Sequence, residues 1–334
     1  DLKNRDVLAW EDLNKLIEGY TKLQNEEDEL GKRLEELRRI NREAEIDEEA
    51  EEQVEIQQRV VNEEAHQDAI SKLNKIQRKL FDEIMAHLAE QDRLRTLNKE
   101  IEERNRENGK KKLPLVDLWP LPEPITKYVA GTAGTGKSFV INTLADALTL
   151  QFSTQFTSGI SPAVLLAGPT GISALAINGN TIHALFGISV VQAGQKVEVE
   201  FEELSPKKFD QLKTLFANVR LFIIDEISMV SNVMLMKINR RMQEVANDDR
   251  PFGGYNVLMF GDLMQLPPVK APQVFIPISE ALNRRIFHTI YTPVNLWETL
   301  TFEELTENMR QGENGELAKM FERIRTGVQT ANDL

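Results

Sequence analysis

The chain has 334 residues, of which 41 % are hydrophobic, with a formal net charge of −13 and no cysteine. Two or three domains of ordinary size are within reach, and disulfide scaffolds and thiolate metal sites are excluded. No apolar run approaches the ~20 residues that span a bilayer, and no secretory h-region is present, so a soluble chain with no membrane partner is expected.

The charge is unevenly placed. Residues 1–70 hold 10 Lys/Arg and 22 Asp/Glu, a net of −12, and the remainder is almost neutral. Total acidity is therefore weak evidence against a nucleic-acid partner, because a near-neutral domain can carry a local basic groove. Leu13, Leu16, Tyr20, Leu23, Leu30, Leu34 and Leu37 fall on alternating three- and four-residue steps, a heptad seam that Glu27 and Gly31 interrupt. An acidic helical or coiled-coil extension is expected over residues 1–70, with acidic residues dominating Glu43 to Glu64. A protein partner for these helices is the functional alternative to a solvated arm.

Residues 71–124 read as a helix followed by a linker. Leu73, Ile76, Leu80, Ile84 and Leu88 are spaced for one buried face. Asn108-Gly109 and Lys110-Lys111-Lys112 are expected to break the helix. Pro114, Pro120, Pro122 and Pro124 then impose extended geometry, as a linker or a wrap over the surface.

From Ile125 to residue 305 short apolar runs alternate with helical patterns. The runs are Ile125–Ala130, Ala163–Ala167, Leu221–Ile224 and Val257–Phe260. The helices are Ser138–Phe152, Thr181–Phe186, Pro206–Asn218 and Val233–Val245. This alternation predicts an α/β domain with a mostly parallel sheet covered on both faces, and ligands at the C-terminal ends of the strands.

Gly131-Thr132-Ala133-Gly134-Thr135-Gly136-Lys137-Ser138 joins the first such strand to its helix and is a phosphate-binding loop, G-x-x-x-x-G-K-S. Its glycines let backbone N–H groups turn toward phosphate oxygens at a helix N-terminus. Lys137 is expected to reach the β- and γ-phosphates of ATP, and the Ser138 hydroxyl to hold Mg²⁺. Leu221-Phe222-Ile223-Ile224 ends in Asp225 and Glu226, which suit a Mg²⁺ ligand and a group that polarises water. Gln265, just past the strand Val257–Phe260, is a candidate for sensing the γ-phosphate by hydrogen bonding, against a plainer reading of this segment in isolation as a polar turn after a strand. Gly168-Pro169-Thr170-Gly171 and Asn180-Thr181-Ile182-His183 offer small residues, hydroxyls and N–H groups suited to a sugar–phosphate backbone. His183 and Phe186 are candidates for stacking on bases, against a plainer reading as a structural histidine and a core phenylalanine.

Taken in order, G-T-A-G-T-G-K-S, G-P-T-G-I-S-A-L-A-I-N-G-N-T-I-H-A-L-F-G-I, I-I-D-E-I-S-M-V, F-G-D-L-M-Q-L-P-P-V and L-T-E-N-M-R-Q resemble the Pif1 family of superfamily 1B DNA helicases, which includes the helicase parts of Helitron-type transposons. The resemblance runs from about Leu73 to Gly327 and takes in Met229 to Met242, with Ile238 and Arg241. It implies a RecA-like P-loop domain 1A over 125–305 and the start of a second domain, 2A, over 306–334. It also implies ATP and Mg²⁺ as cofactors, single-stranded DNA as partner, and 5′-to-3′ unwinding in repair, recombination and telomere maintenance. A nuclear or mitochondrial location would follow in a eukaryote. Lys137, Glu226, Gln265 and Arg310 match catalytic positions, Arg310 as the motif IV arginine that neutralises γ-phosphate charge. Ser138 and Asp225 match the metal site, and Pro169, Thr170 and His183 lie in DNA-contacting segments. Leu73-Asn74-Lys75-Ile76-Gln77 resembles the adenine-contacting Q-motif, although about sixty residues separate Gln77 from Lys137, more than the pattern usually has. Motifs V and VI are not in the chain, so it resembles a helicase cut after motif IV. A nucleotide-dependent adaptor and an inactive transposon-derived fragment are the alternatives.

Overall fold

The computed structural model describes residues 59–111, 114–156, 159–189, 200–288, 294–307 and the single positions 309, 320, 323 and 328. The heptad seam at 13–37, the acidic stretch up to residue 58, and Arg310 lie outside the described residues.

Two helices open the described part, α1 (Glu63–Ser71) and α2 (Lys75–Lys111). Asn62 caps α1 by accepting the Ala65 N–H. A reciprocal cap starts α2. Asn74 Oδ1 accepts the Gln77 N–H at 2.9 Å, and Gln77 Oε1 accepts the Asn74 N–H at 3.0 Å, which satisfies two donors that a helix start otherwise leaves bare. Leu80, Ile84 and Leu88 are fully buried, as their spacing predicts. The break expected at Asn108-Gly109 is not there: α2 continues to Lys111. A helical glycine costs about 1 kcal/mol, and residues 114–124 offset it by running back along the helix, where Asn108 Nδ2 donates to the Pro114 carbonyl at 3.1 Å.

The central sheet has six strands, all parallel, in the order β5-β4-β6-β7-β1-β8. They are β1 (Thr126–Gly131), β4 (Val164–Gly168), β5 (Asn180–Thr181), β6 (Leu221–Ile224), β7 (Val257–Gly261) and β8 (Thr301–Leu305), while β2 (Thr154–Phe156) and β3 (Gly159–Ser161) form a separate antiparallel pair. The crossover helices are α3 (Lys137–Phe152), α4 (Gly171–Ala176), α5 (Ile182–Phe186), α6 (Pro206–Phe216), α7 (Asn232–Ala246) and α8 (Glu280–Phe287).

Successive side chains of a strand face opposite sides, and here they feed two separate cores. Tyr128, Leu165, Ala167, Phe222, Ile224, Val257 and Met259 join the core that contains Leu212 and Phe216 of α6 and Ile238 and Met242 of α7. Their neighbours Val129, Val164, Leu166, Leu221, Ile223, Leu258 and Phe260 join the core built with α2 and α3. Near-continuous apolar strands are the expected outcome, since neither sheet face meets water. The edge strands β5 and β8 escape a periodicity reading for the opposite reason. The first has two residues, and Thr301, Phe302 and Glu304 of the second are exposed.

A buried polar cluster ties the N-terminal end of the sheet. Asn256 Oδ1 accepts the Ile125 N–H at 2.8 Å, and Asn256 Nδ2 donates to the Arg220 carbonyl and to Gln91 Oε1, both at 2.8 Å. One side chain thus joins the beginnings of β1, β6 and β7 to α2.

Candidate nucleotide and nucleic-acid sites

The loop between β1 and α3 is shaped by its glycines. Gly134 and Gly136 take φ of 88° and 78°, a region that side chains rarely enter. A Cβ on Gly131 would sit 2.5 Å from Thr135 Oγ1, and one on Gly136 would sit 2.5 Å from Gln77 Nε2. The loop is therefore packed from both sides. Thr135, 1 % exposed, donates its hydroxyl to the Thr132 carbonyl at 2.9 Å. Lys137 folds back over the loop and donates to the carbonyls of Gly131 at 2.8 Å and Thr132 at 3.3 Å. Ala133 is exposed, and Ser138 is exposed on the first turn of α3.

Gln77 is placed beneath this loop and is fully buried. Its Nε2 donates to the Thr135 carbonyl at 2.9 Å while its Oε1 caps α2. Both ends of the amide are bound to backbone, which makes the residue a brace for the loop. A contact to adenine would require that amide to leave one of its two partners.

Register decides which other groups meet the loop. Ala130 pairs with Gly261 and Ile224 with Met259, so the C-terminal ends of β1, β7 and β6 lie side by side. Two inter-strand steps, about 10 Å, separate the phosphate loop from Asp225. The Lys137 ammonium is near enough to act on the Asp225 carboxylate. Asp225 is 3 % exposed. Burial pushes its carboxyl up to about 6, against the opposing pull of the Glu226 N–H and of Lys137. That N–H donates to Asp225 Oδ1 at 2.9 Å. Glu226 takes φ 51° and starts the short 3₁₀ turn Ile227–Met229, which leaves its side chain half-buried at the strand end. On the middle strand Asp262, 2 % exposed, holds the following turn. It accepts the Gln265 N–H at 2.9 Å through its carbonyl and Gln265 Nε2 at 3.3 Å through Oδ2. Tyr128 donates its hydroxyl to the Gly261 carbonyl at 3.3 Å, fastening this turn to β1.

These residues fit a nucleoside triphosphate with magnesium. The cradle at Gly131 and Gly136 is one that a Cβ would fill, and the oxygens of Ser138 and Asp225 are hard donors. Among the described residues no three His, Cys, Asp or Glu side chains gather as a metal cage. A cation held by two protein oxygens, with phosphate and water completing the shell, is how magnesium is usually bound.

The DNA candidates lie toward the other end of the same sheet edge. Thr170 caps α4 through a reciprocal pair with Ser173, and Thr181 caps α5. β5 pairs with β4 through Gly168 and Thr181, which brings Pro169, Thr170 and His183 to neighbouring strand ends. His183 Nδ1 lies 3.1 Å from the Ile188 carbonyl. Base stacking by Phe186 is overturned, because its ring is fully buried and stacks on Phe222 with centroids 6.0 Å apart. Two arrangements were not visible in the sequence. Arg241, 1 % exposed, reaches the carbonyls of Phe186, Gly187 and Glu202 at 3.0, 3.3 and 2.8 Å, so α7 locks the segment that carries His183. Met309, next to Arg310, donates its N–H to the Gly134 carbonyl at 2.7 Å, which brings the chain leaving β8 onto the phosphate loop.

Comparison with known proteins returns one family model, PIF1-like helicase, matched over residues 122–332. ATP-dependent DNA helicase RRM3 of Saccharomyces cerevisiae is 34 % identical over 145 residues, 42 % of this chain and 18 % of the relative. ATP-dependent DNA helicase Pif1 of a Psychrobacter species is 34 % identical over 142 residues, 42 % of this chain and 20 % of the relative. The chain thus spans about a fifth of the length of these curated relatives. Among solved structures, Bacteroides Pif1 bound to single-stranded DNA is 30 % identical, covering 63 % of this chain and 44 % of that one with a TM-score of 0.43.

Proposed function

This chain belongs to the PIF1-like helicase family, and from that premise we propose that it supplies the nucleotide-hydrolysing part of an ATP-dependent DNA helicase. The observation that carries the reading is the meeting of Lys137 and the Asp225–Glu226 pair on one sheet edge. Residues 125–305 act as the first RecA-like motor domain and 306–334 lead into the second.

When bound, magnesium neutralises phosphate charge and orients the γ-phosphate. The backbone N–H groups from Gly131 to Gly136 cradle the phosphates. Lys137, bonded to the Gly131 and Thr132 carbonyls, would turn to phosphate oxygens, and Ser138 and Asp225 would hold the cation. Glu226 orients water and accepts its proton. Gln265, held by Asp262, senses the γ-phosphate. Arg310 stabilises developing charge, an effect of about 10³-fold or more in comparable motors. Pro169, Thr170 and His183 contact the phosphodiester backbone of single-stranded DNA. Movement is 5′ to 3′, with roles in repair, recombination and telomere maintenance and a nuclear or mitochondrial location in a eukaryote. The names of the relatives support helicase chemistry.

The test is steady-state ATP hydrolysis with and without oligothymidylate. Hydrolysis should need magnesium and rise with single-stranded DNA. Lys137→Ala should abolish it, and Glu226→Gln should retain bound ATP without turnover. Unchanged rates in both variants would remove the assigned roles.

A further inference from the structure

Peptide planarity turns the brace beneath the phosphate loop into a device that aims a donor. In a trans peptide the carbonyl and the N–H of the next residue point in opposite directions. Two consecutive planes of this loop are held from outside it. The Gly134 carbonyl accepts the Met309 N–H at 2.7 Å, and across the same plane the Thr135 N–H donates to the Thr132 carbonyl at 3.3 Å. In the next plane the Thr135 carbonyl accepts Gln77 Nε2 at 2.9 Å. The Gly136 N–H is therefore turned away from Gln77, to the side of the loop opposite α2. Gly136 is the N-cap of α3, and N–H groups at such a position are the ones that bind phosphate oxygens.

The polarity of the Gln77 amide is fixed as well. Its Oε1 accepts the Asn74 N–H at 3.0 Å. Exchanging the two ends would set an NH2 group against that N–H and an oxygen against the Thr135 carbonyl. An amide that reads adenine works in pairs, accepting from N6 and donating to N7. Both ends of Gln77 already serve backbone groups. Each end keeps one further bonding position, but no base can reach it. The side chain is fully buried, and even a Cβ on Gly136 would meet Nε2 at 2.5 Å.

We propose that Gln77 is a positioning residue for the triphosphate and takes no part in reading the base. The inference rests on the nucleotide-hydrolysing role given above and adds what Gln77 does in it. Through the Thr135–Gly136 peptide the residue aims a donor at phosphate, the part that adenine and guanine nucleotides share. Its contribution is the same for both. The Gly136 N–H meets phosphate before and during hydrolysis alike, so loss of the brace raises KM and leaves kcat in place.

The test is Gln77→Glu in the full chain. One carboxylate oxygen keeps the Asn74 N–H, and the other faces the Thr135 carbonyl with no proton to donate. Affinities for ATP, GTP and inorganic tripolyphosphate, each with magnesium, are measured by isothermal titration calorimetry, and KM and kcat for both nucleotides by steady-state hydrolysis. All three affinities should fall by the same factor, about 10-fold. The kcat values and the ATP-to-GTP ratio should stay within about 2-fold of the parent. Gln77→Met, which fills the same space without a donor, should repeat the pattern. Val245→Ala, a core change at the C-terminal end of α7, should lower the melting temperature and leave every affinity as in the parent, which separates the aim of the loop from general loss of stability. A fall confined to ATP would make Gln77 a base reader and overturn the proposal, as would parent-like affinities for all three ligands in both Gln77 variants. A parent chain that binds the ligands but hydrolyses neither nucleotide would remove the helicase reading, and the affinities would still decide the role of Gln77.

Discussion

Asp225→Asn is expected to make the fold more stable at neutral pH while abolishing magnesium-dependent hydrolysis. The native carboxyl titrates at about 6 against an ordinary 3.8, chiefly because it is buried. A gap of about two units at about 1.4 kcal/mol per unit gives a cost of about 3 kcal/mol for ionising it in the fold. The unfolded chain ionises the same group with no such cost. Stability is therefore lost as pH rises from 3.8 to about 6, the full cost is present above about 6, and none is present below the unfolded value. Asparagine carries no charge and keeps an Oδ1 to accept the Glu226 N–H, a bond of 2.9 Å in the parent. At roughly 2–4 °C per kcal/mol for a domain of this size, melting at pH 7.5 should rise by on the order of 5–10 °C in nucleotide-free protein. Differential scanning calorimetry of both proteins from pH 4 to pH 8 reads the gap and its closure toward acid. Magnesium with a non-hydrolysable ATP analogue should stabilise the parent and not the variant. A variant that melts at or below the parent at pH 7.5, or a difference that ignores pH, would refute the reasoning.

Other outcomes follow from the same geometry. Gln77→Ala removes one half of the reciprocal cap of α2, leaving Asn74 Oδ1 on the residue-77 N–H, together with the brace under Thr135, and should cost about 1–3 kcal/mol and raise the KM for ATP, read by melting and steady-state kinetics. Arg241→Ala leaves three carbonyls without their donor and should destabilise by about 3 kcal/mol or more, with Arg241→Lys a poor rescue because lysine lacks the planar fork. Phe186→Leu should lower stability by about 1–2 kcal/mol and leave DNA affinity unchanged in anisotropy, since the ring never reaches a base. Asn98→Ala with Asn105→Ala removes side-chain bonds to the backbone of Trp119 and Val116 and should speed amide hydrogen exchange at Val116 and Trp119 about 10-fold or more with little change in ATP hydrolysis.

How far the site could be read in advance depended on the range of the interactions involved. The phosphate loop, the carboxylates after β6 and the buried strands were legible because glycine angles and short continuous apolar runs are local properties of the chain. β8 was not, since an edge strand with exposed Phe302 and Glu304 has no continuous apolar run. Phe186 looked available to stack on bases until Phe216 and Phe222 closed around it. The helix break expected at Gly109 failed because its stabilisation comes from Pro114, across a turn in the chain.

By itself the sequence determined a phosphate-binding α/β domain, since the residues that bend the loop and fill both sheet faces act through their own backbone angles and their spacing. Only the folded molecule decided that Lys137 and Asp225 share an edge, that Gln77 spends both ends of its amide on backbone, and that a proline-rich segment runs back along α2. Those facts depend on strand order and on contacts between residues far apart in the chain, where burial and hydrogen-bond partners are set by neighbours that no local pattern names.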